Sequence, residues 1–303
     1  MSAAITVRDV RKAYGETRAV DGVSFEVDQG EFFGILGPNG AGKTTTLEII
    51  EGLRKPDSGE VRLLGMAPWP RNAALLPRIG VQLQASSFLE RLTAREQIRT
   101  WASLYGVGNA KADAMLELVG LSDKAATRVD KLSGGQAQRL SIACALAHDP
   151  EVVFLDEPTS GLDPQARRNL WDLLRAINEQ GRTVVLTTHY LDEAEALCDR
   201  VAIMDAGKIL KADTPVALVR GLDAPTRISV ESGVIPLAQA RDLFAGAEVS
   251  DDGSSLTIAT REPAPMLTLL AERNALRGLA VRGATLEDVF LNLTGREYRD
   301  AAP

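Results

Sequence analysis

Three short stretches of this chain carry residue types suited to phosphate chemistry. Gly37-Pro38-Asn39-Gly40-Ala41-Gly42-Lys43-Thr44 fits G-x-x-x-x-G-K-[ST], a P-loop pattern in which glycines let successive backbone N–H groups converge on phosphate oxygens. In such a loop Lys43 reaches the outer phosphates and the Thr44 hydroxyl ligates Mg²⁺. Thr45 completes the run expected to touch nucleotide. The second stretch, Val152-Val153-Phe154-Leu155-Asp156-Glu157, ends an apolar run in two acids. Asp156 can hold the metal, and Glu157 can orient or deprotonate an attacking water. The third, Ser133-Gly134-Gly135-Gln136 after Leu132, places a serine and two glycines where a helix should start, a second phosphate-seeking nest. One nucleotide needs one cradle from a chain, so the second nest points to a nucleotide held by another copy.

These residues need strands and helices to carry them. Val23, Phe25 and Val27 alternate with polar residues, and Phe32 to Leu36 is almost continuously apolar, which predicts a half-buried strand and then a fully buried one. The glycine-rich turn should feed a helix near Lys43. Helical periodicity then predicts helices over Leu92 to Tyr105, Lys111 to Val119 and Gln136 to Ala147, an inserted helical lobe over about residues 86–150. Strands return at Val152 to Leu155 and Thr183 to Thr187 around a helix from Pro164 to Glu179, the alternation of a parallel α/β sheet. All eight lysines lie at or before Lys211, and the segment after Gly221 changes texture. We divide the chain at 1–222 and 223–303. The tail predicts a strand at Arg227 to Val230, a helix at Leu237 to Phe244, and a hairpin of Ala247 to Val249 with Ser255 to Ile258. A helix at Met266 to Leu276, a strand at Leu279 to Val281 and a helix at Thr285 to Leu293 follow. That order is βαββαβ plus a terminal helix, a small α+β unit of split-βαβ type.

Composition excludes several classes. The chain has 303 residues, 45% hydrophobic and 25% charged, ordinary globular usage. Its net charge of −7 argues against nucleic-acid binding by a basic surface. Two cysteines, Cys144 and Cys198, cannot form a disulfide scaffold or a four-cysteine zinc site. Met1 to Val10 lacks the apolar core of a signal peptide, and no run approaches the ~18 apolar residues of a membrane span. Any membrane role must therefore pass through a partner.

Leu132 to Gln136, LSGGQ, lying between GPNGAGKT and VVFLDEP, resembles the signature of the ATP-binding-cassette family, and the resemblance covers essentially the whole chain. It implies a P-loop nucleotide-hydrolase core with an inserted helical subdomain, ATP and Mg²⁺ as ligands, and a head-to-tail homodimer. In that dimer each ATP lies between the P-loop of one chain and Ser133, Gly134, Gly135 and Gln136 of the other. The resemblance also gives roles to isolated residues. Tyr14 matches the aromatic that stacks on adenine, and Asp163 in Ser160-Gly161-Leu162-Asp163 matches the loop that communicates across the dimer. His189 matches the histidine that contacts the γ-phosphate and the catalytic water. Gln84 aligns with the glutamine that senses metal and water, with Gln82 as its rival. His148 reads as an ordinary structural histidine. Cys144 stands where many cassettes carry arginine, and Gln136 to Arg139 differs from more basic relatives; as an unpaired cysteine on an apolar helix, Cys144 reads as packing.

The segment Thr285 to Glu297 is similar to the closing motif of cassettes from bacterial daunorubicin-resistance-type exporters, and also reads as an amphipathic helix with Gly295 as its C-cap. The resemblance implies a separate membrane permease, a helix of which docks beside Gln84 to Arg91, and a peripheral location on the cytoplasmic side of the bacterial inner membrane. Drugs, a self-made antibiotic, lipid-linked glycans and sodium ions all stand as cargoes. The competing class is a cassette ATPase that moves nothing and acts on ribosomes or DNA; the single P-loop and the absence of long coiled coils weigh against it. A stand-alone nucleotide kinase would have no use for LSGGQ or His189.

Overall fold

The computed structural model describes residues 2–82, 88–89, 91–222 and 224–295. They form two compact units that divide between Pro215 and Val216.

The first unit is built on a six-stranded sheet. Its strands are β3 (Phe32–Leu36), β5 (Ile79–Gln82), β6 (Val152–Asp156), β7 (Thr183–Thr188), β8 (Arg200–Asp205) and β9 (Lys208–Asp213), in the order β5-β6-β7-β3-β8-β9. All neighbours are parallel except β8 and β9. Every residue of β3, β6 and β7 is buried. A parallel strand covered on both faces requires a continuous apolar run rather than alternation, which is what these segments show. A second, antiparallel sheet has the order β2-β1-β4, from β1 (Ala3–Tyr14), β2 (Thr17–Asp28) and β4 (Ser58–Leu63). One core joins it to the parallel sheet, with Val7, Val23, Phe33, Ile35, Phe154 and Val185 packed around Leu47 and Ile50 of α1 (Lys43–Ile50).

Between β5 and β6 run three helices, α2 (Ala94–Leu104), α3 (Asn109–Leu118) and α4 (Gly134–Leu146). They have a core of their own that includes Ile98, Leu116, Leu140 and Cys144. Burial pushes the Cys144 thiol up to about 12, so it packs as an uncharged thiol. Each of two helix starts is fixed by a capping box, Thr93 with Glu96 and Ser133 with Gln136. His148 donates from Nε2 to the Ile79 carbonyl oxygen at 2.9 Å and stacks on Tyr105, a structural position. After β6 comes α5 (Pro164–Glu179), and after β7 comes α6 (Leu191–Leu197), which packs on β3 and β7. Helix α7 (Pro215–Arg220) stands at the junction of the units.

The second unit is a four-stranded antiparallel sheet in the order β11-β12-β10-β13. In chain order it contains β10 (Thr226–Glu231), α8 (Leu237–Leu243), β11 (Glu248–Asp251), β12 (Ser255–Thr260), α9 (Pro263–Glu272), β13 (Ala280–Arg282) and α10 (Leu286–Thr294). This is split-βαβ topology. Helix α9 begins three residues before the expected Met266, because Pro263 and Pro265 occupy its first turn, where a missing N–H costs nothing, and it ends at Glu272 rather than Leu276. Gly295 caps α10 in the left-handed region at φ 69°. Ile228, Val230, Phe244, Leu256, Ile258 and Leu270 form the core. Phe244 is fully buried, so Phe244→Ala should destabilise this unit by about 3–5 kcal/mol. Chemical denaturation monitored by circular dichroism checks this; an unchanged midpoint contradicts the packing.

Candidate active site

The order of the sheet assembles the site. Strands β6, β7 and β3 are adjacent and parallel, with Asp156 beside Thr187 and Leu36 beside Thr188 in register. Segments following their C-terminal ends therefore meet, although the loop after β3 lies more than a hundred residues before the other two in sequence. Residues 37–42 follow β3, Glu157 follows β6 and His189 follows β7.

The loop after β3 can be built only with glycine at two positions. A Cβ on Gly37 would stand 2.2 Å from the Met204 carbonyl oxygen, and one on Gly42 would stand 2.1 Å from that of Ala19. Gly42 also has φ +102°, which L residues rarely adopt. The loop Gly37, Pro38, Asn39, Gly40, Ala41 is closed by a hydrogen bond from Ala41 N to Pro38 O, and α1 starts at Lys43. Lys43 is buried, and its ammonium donates to the Gly37 and Pro38 carbonyls at 2.8 and 3.2 Å. It also pairs with Glu157 Oε1 at 3.1 Å. Thr45 follows in the first turn of the helix.

Glu157 is the hub. Its other carboxylate oxygen lies 3.1 Å from His189 Nδ1, and its backbone N–H donates to the Thr187 carbonyl and hydroxyl. Its φ of 46° is left-handed, a strained conformation for a non-glycine residue, of order 1–2 kcal/mol, which turns the carboxylate inward. Burial opposes the charge of Glu157, but the His189 hydrogen bond and the Lys43 ammonium outweigh it and hold the carboxyl below its ordinary range. Burial pushes Asp156 upward, the Thr187 and Thr44 hydroxyls partly restrain it, and the charge of Glu157 adds to the rise. Asp156 Oδ1 accepts from Thr44 Oγ1 at 3.2 Å and from the Thr187 hydroxyl. Sequence reasoning missed Thr187. Its signal was a hydroxyl at the end of the otherwise apolar run Thr183-Val184-Val185-Leu186.

A second cluster forms at the start of α4. Ser133 Oγ accepts from Gln136 N and Gln136 Oε1 accepts from Ser133 N, at 3.3 and 3.0 Å. Ser133, Gly134, Gly135 and Gln136 line a cavity of about 260 Å³ together with Gly161 and Asp163. Asp163 caps α5, accepting from Gln165 N and Ala166 N. Among the described residues no hydrogen bond or ion pair joins this nest to Lys43 or Glu157. Tyr14 ends β1 with 44% of its surface exposed. Lys12 Nζ and the Arg54 guanidinium lie 5.6 and 5.4 Å from its ring centre. Gln84 lies outside the described residues, and its rival Gln82 is buried at the end of β5.

An ammonium in a glycine loop, beside a carboxylate held by a histidine, is suited to phosphoryl transfer to water. Comparison with known proteins agrees. Residues 20–160 match the family model described as ABC transporter. Over 98% of its length the chain is 41% identical to the Nod factor export ATP-binding protein I of Paraburkholderia xenovorans (strain LB400), covering 99% of that protein. The chain belongs to the ABC transporter family. The Linearmycin resistance ATP-binding protein LnrL of Bacillus subtilis (strain 168) is 38% identical, with 98% of this chain and all of that protein covered. Among solved structures, a dimeric ATP-binding cassette in a post-hydrolysis state bound to ADP and Pi superposes with a TM-score of 0.64 at 31% identity, over 69% of this chain and 98% of that one. An ABC cassette in its ADP conformation superposes with a TM-score of 0.65 at 26% identity, over 71% of this chain and 92% of that one. This cassette is an ATPase.

If Lys43 holds phosphate, Lys43→Ala should weaken ATP binding by at least tenfold, the loss of a charge-assisted contact. Titration with a fluorescent ATP analogue measures it, and parent affinity contradicts the assignment.

Proposed function

We propose that the chain powers an exporter: two copies close on two ATP molecules, and hydrolysis drives a separate membrane permease. The observation that carries this reading is the pair of half-sites in one chain, the Lys43 loop and the Ser133 nest, each with donors for phosphate. Export is favoured because both the Nod factor and the linearmycin-resistance proteins align along their whole length, including the region of the second unit. Among the described residues no helix is long and apolar enough to cross a membrane; in this reading the permease carries the cargo and the chain works at the inner face of the bacterial cell membrane.

In each composite site Lys43 and the N–H groups of residues 39–45 hold the phosphates, with Gly37 and Pro38 shaping the loop, and Tyr14 offers its exposed ring to adenine. Glu157 takes the proton of the water that attacks the γ-phosphorus, while the bond from that phosphorus to the ADP oxygen breaks. His189 holds the Glu157 carboxylate in place and faces the γ-phosphate. Ser133, Gly134, Gly135, Gln136 and Asp163 act on the nucleotide of the partner. The Thr44 hydroxyl and the Asp156 carboxylate, 3.2 Å apart, form a hard-oxygen pair that fits Mg²⁺, which takes one or two protein ligands and completes its shell with phosphate and water. Thr44 and Asp156 would hold that ion, with Gln84 as the further contact. When bound, it neutralises charge on the outer phosphates.

The test is co-purification. Tagged chain extracted from membranes in mild detergent should bring down an integral membrane protein that stimulates its ATPase in vesicles. Recovery with ribosomes or DNA instead would support a cassette that moves nothing.

A further inference from the structure

Glu193 has no part in the chemistry above, yet it is the most enclosed acid near it. It is 0% exposed in the first turn of α6, four residues after His189. Three segments converge on its carboxyl. Trp171 of α5 donates from Nε1 to Oε1 at 3.1 Å. Thr188, at the end of β7, and Thr159, in the loop between Glu157 and Asp163, place their hydroxyls near enough to oppose the rise that burial forces on the acid. However, neither Glu193 Oε2 nor Thr159 Oγ1 makes a hydrogen bond of ordinary length and angle, although both atoms are shut away from solvent. Leaving two such enclosed atoms unbonded is costly, and a hydrogen bond between them would relieve both.

The surroundings make that shift consequential. Asp163, Arg167 and Trp171 are spaced at four-residue intervals along α5, so they share one side of the helix. Arg167 stacks 3.9 Å from the centre of the Tyr190 ring and pairs with Asp192 at 3.6 Å, and the Tyr190 ring lies 4.1 Å from that of His189. Thr188 Oγ1 accepts from Tyr190 N. The segment carrying His189 is thus fastened to α5 at Tyr190, Asp192 and Glu193, and the start of α5 is Asp163.

We propose that Glu193 is a positioning residue that ties the His189 segment to Thr159 and α5, so that what the 157–163 loop meets at Asp163 sets where His189 stands against Glu157. Completion of the Thr159–Glu193 hydrogen bond is the event that fixes His189 in its working place. The inference rests on the reading of His189 given above, and it makes Glu193 a relay between the dimer-facing loop and the hydrolytic centre rather than a group that touches ATP.

The test is a steady-state split of kcat from KM in four variants of the full chain. Thr159→Val preserves shape and removes only the hydroxyl. It should lower kcat about fivefold, the scale of one buried hydrogen bond, with KM for ATP within about twofold of the parent. Glu193→Ala should lower kcat about tenfold or more, again with little change in KM. Glu193→Gln should recover most of that loss, because its amide can accept from Trp171 and donate to Thr159. A role limited to folding would not give this pattern. Parent kcat in Thr159→Val overturns the proposal, and so does a Glu193→Ala defect that glutamine does not relieve. If Glu193→Ala does not fold, Thr159→Val decides alone. His189→Ala, measured in parallel, separates the two readings. A slow His189→Ala beside a parent-like Thr159→Val removes only the relay, whereas parent activity in His189→Ala removes the role of His189 and the relay with it.

Discussion

Glu157→Gln is expected to bind ATP with near-parent affinity and to hydrolyse it at least about 10² more slowly, the scale of losing a general base. The substitution keeps the shape of the side chain. It also keeps the left-handed backbone at φ 46°, because glutamine pays the same conformational cost as glutamate there. Lys43 retains its bonds to the Gly37 and Pro38 carbonyls, so the phosphate loop stays formed. What is lost is a group able to accept a proton from water, together with the charge that pairs with Lys43 and His189 on its two oxygens. Single-turnover phosphate release separates this from slow product dissociation. A rate within twofold of the parent would show that the carboxylate is only a structural partner of Lys43.

Ser133→Arg should abolish steady-state hydrolysis, by about 10² or more, while leaving ATP binding to the monomer within about twofold; removal of one preorganised donor to developing phosphate charge has effects of this size. Ser133 and Gly134 are exposed, and nothing lies within 4 Å of a Cβ placed on Gly134, so a long cation is accommodated without strain in the single chain. Loss of the capping box with Gln136 costs about 1 kcal/mol, too little to unfold the helical lobe. In the proposed dimer, the defect would report obstruction of the nest that contacts the nucleotide of the second copy. A variant that binds ATP and hydrolyses it normally would show that Ser133 is a helix cap and nothing more.

Much of this site could be read from the sequence because its parts are local. A glycine-rich turn after a buried strand, two acids ending another and a serine cap ahead of two glycines each fit within eight residues. The continuous apolar runs of β3, β6 and β7 announced strands buried on both faces. Strands with weaker signals went unread. β1 carries Arg8, Asp9, Arg11 and Lys12, and its pairing with β2 shifts register repeatedly, which breaks the period-two pattern. β9 is largely exposed at the sheet edge, where there is little burial to write into the sequence. The contacts of Glu157 with Lys43 and His189 were legible only through resemblance, since they follow from the order β6-β7-β3, which no local pattern specifies. Glu193 was invisible for a related reason. An acid in the first turn of a helix ordinarily reads as a surface residue favoured by the helix dipole, and only the approach of Trp171 and Thr159 reveals it as enclosed.

In the proposed dimer one chain supplies two halves of different sites, and the oligomeric state of Glu157→Gln under nucleotide reports whether it does. Light scattering coupled to size exclusion should find a dimer with ATP and Mg²⁺, a monomer with ADP, and a monomer in ATP when Ser133→Arg is added to the same chain. A Glu157→Gln protein that stays monomeric in saturating ATP, beside a parent that hydrolyses ATP at full rate as a monomer, would contradict it.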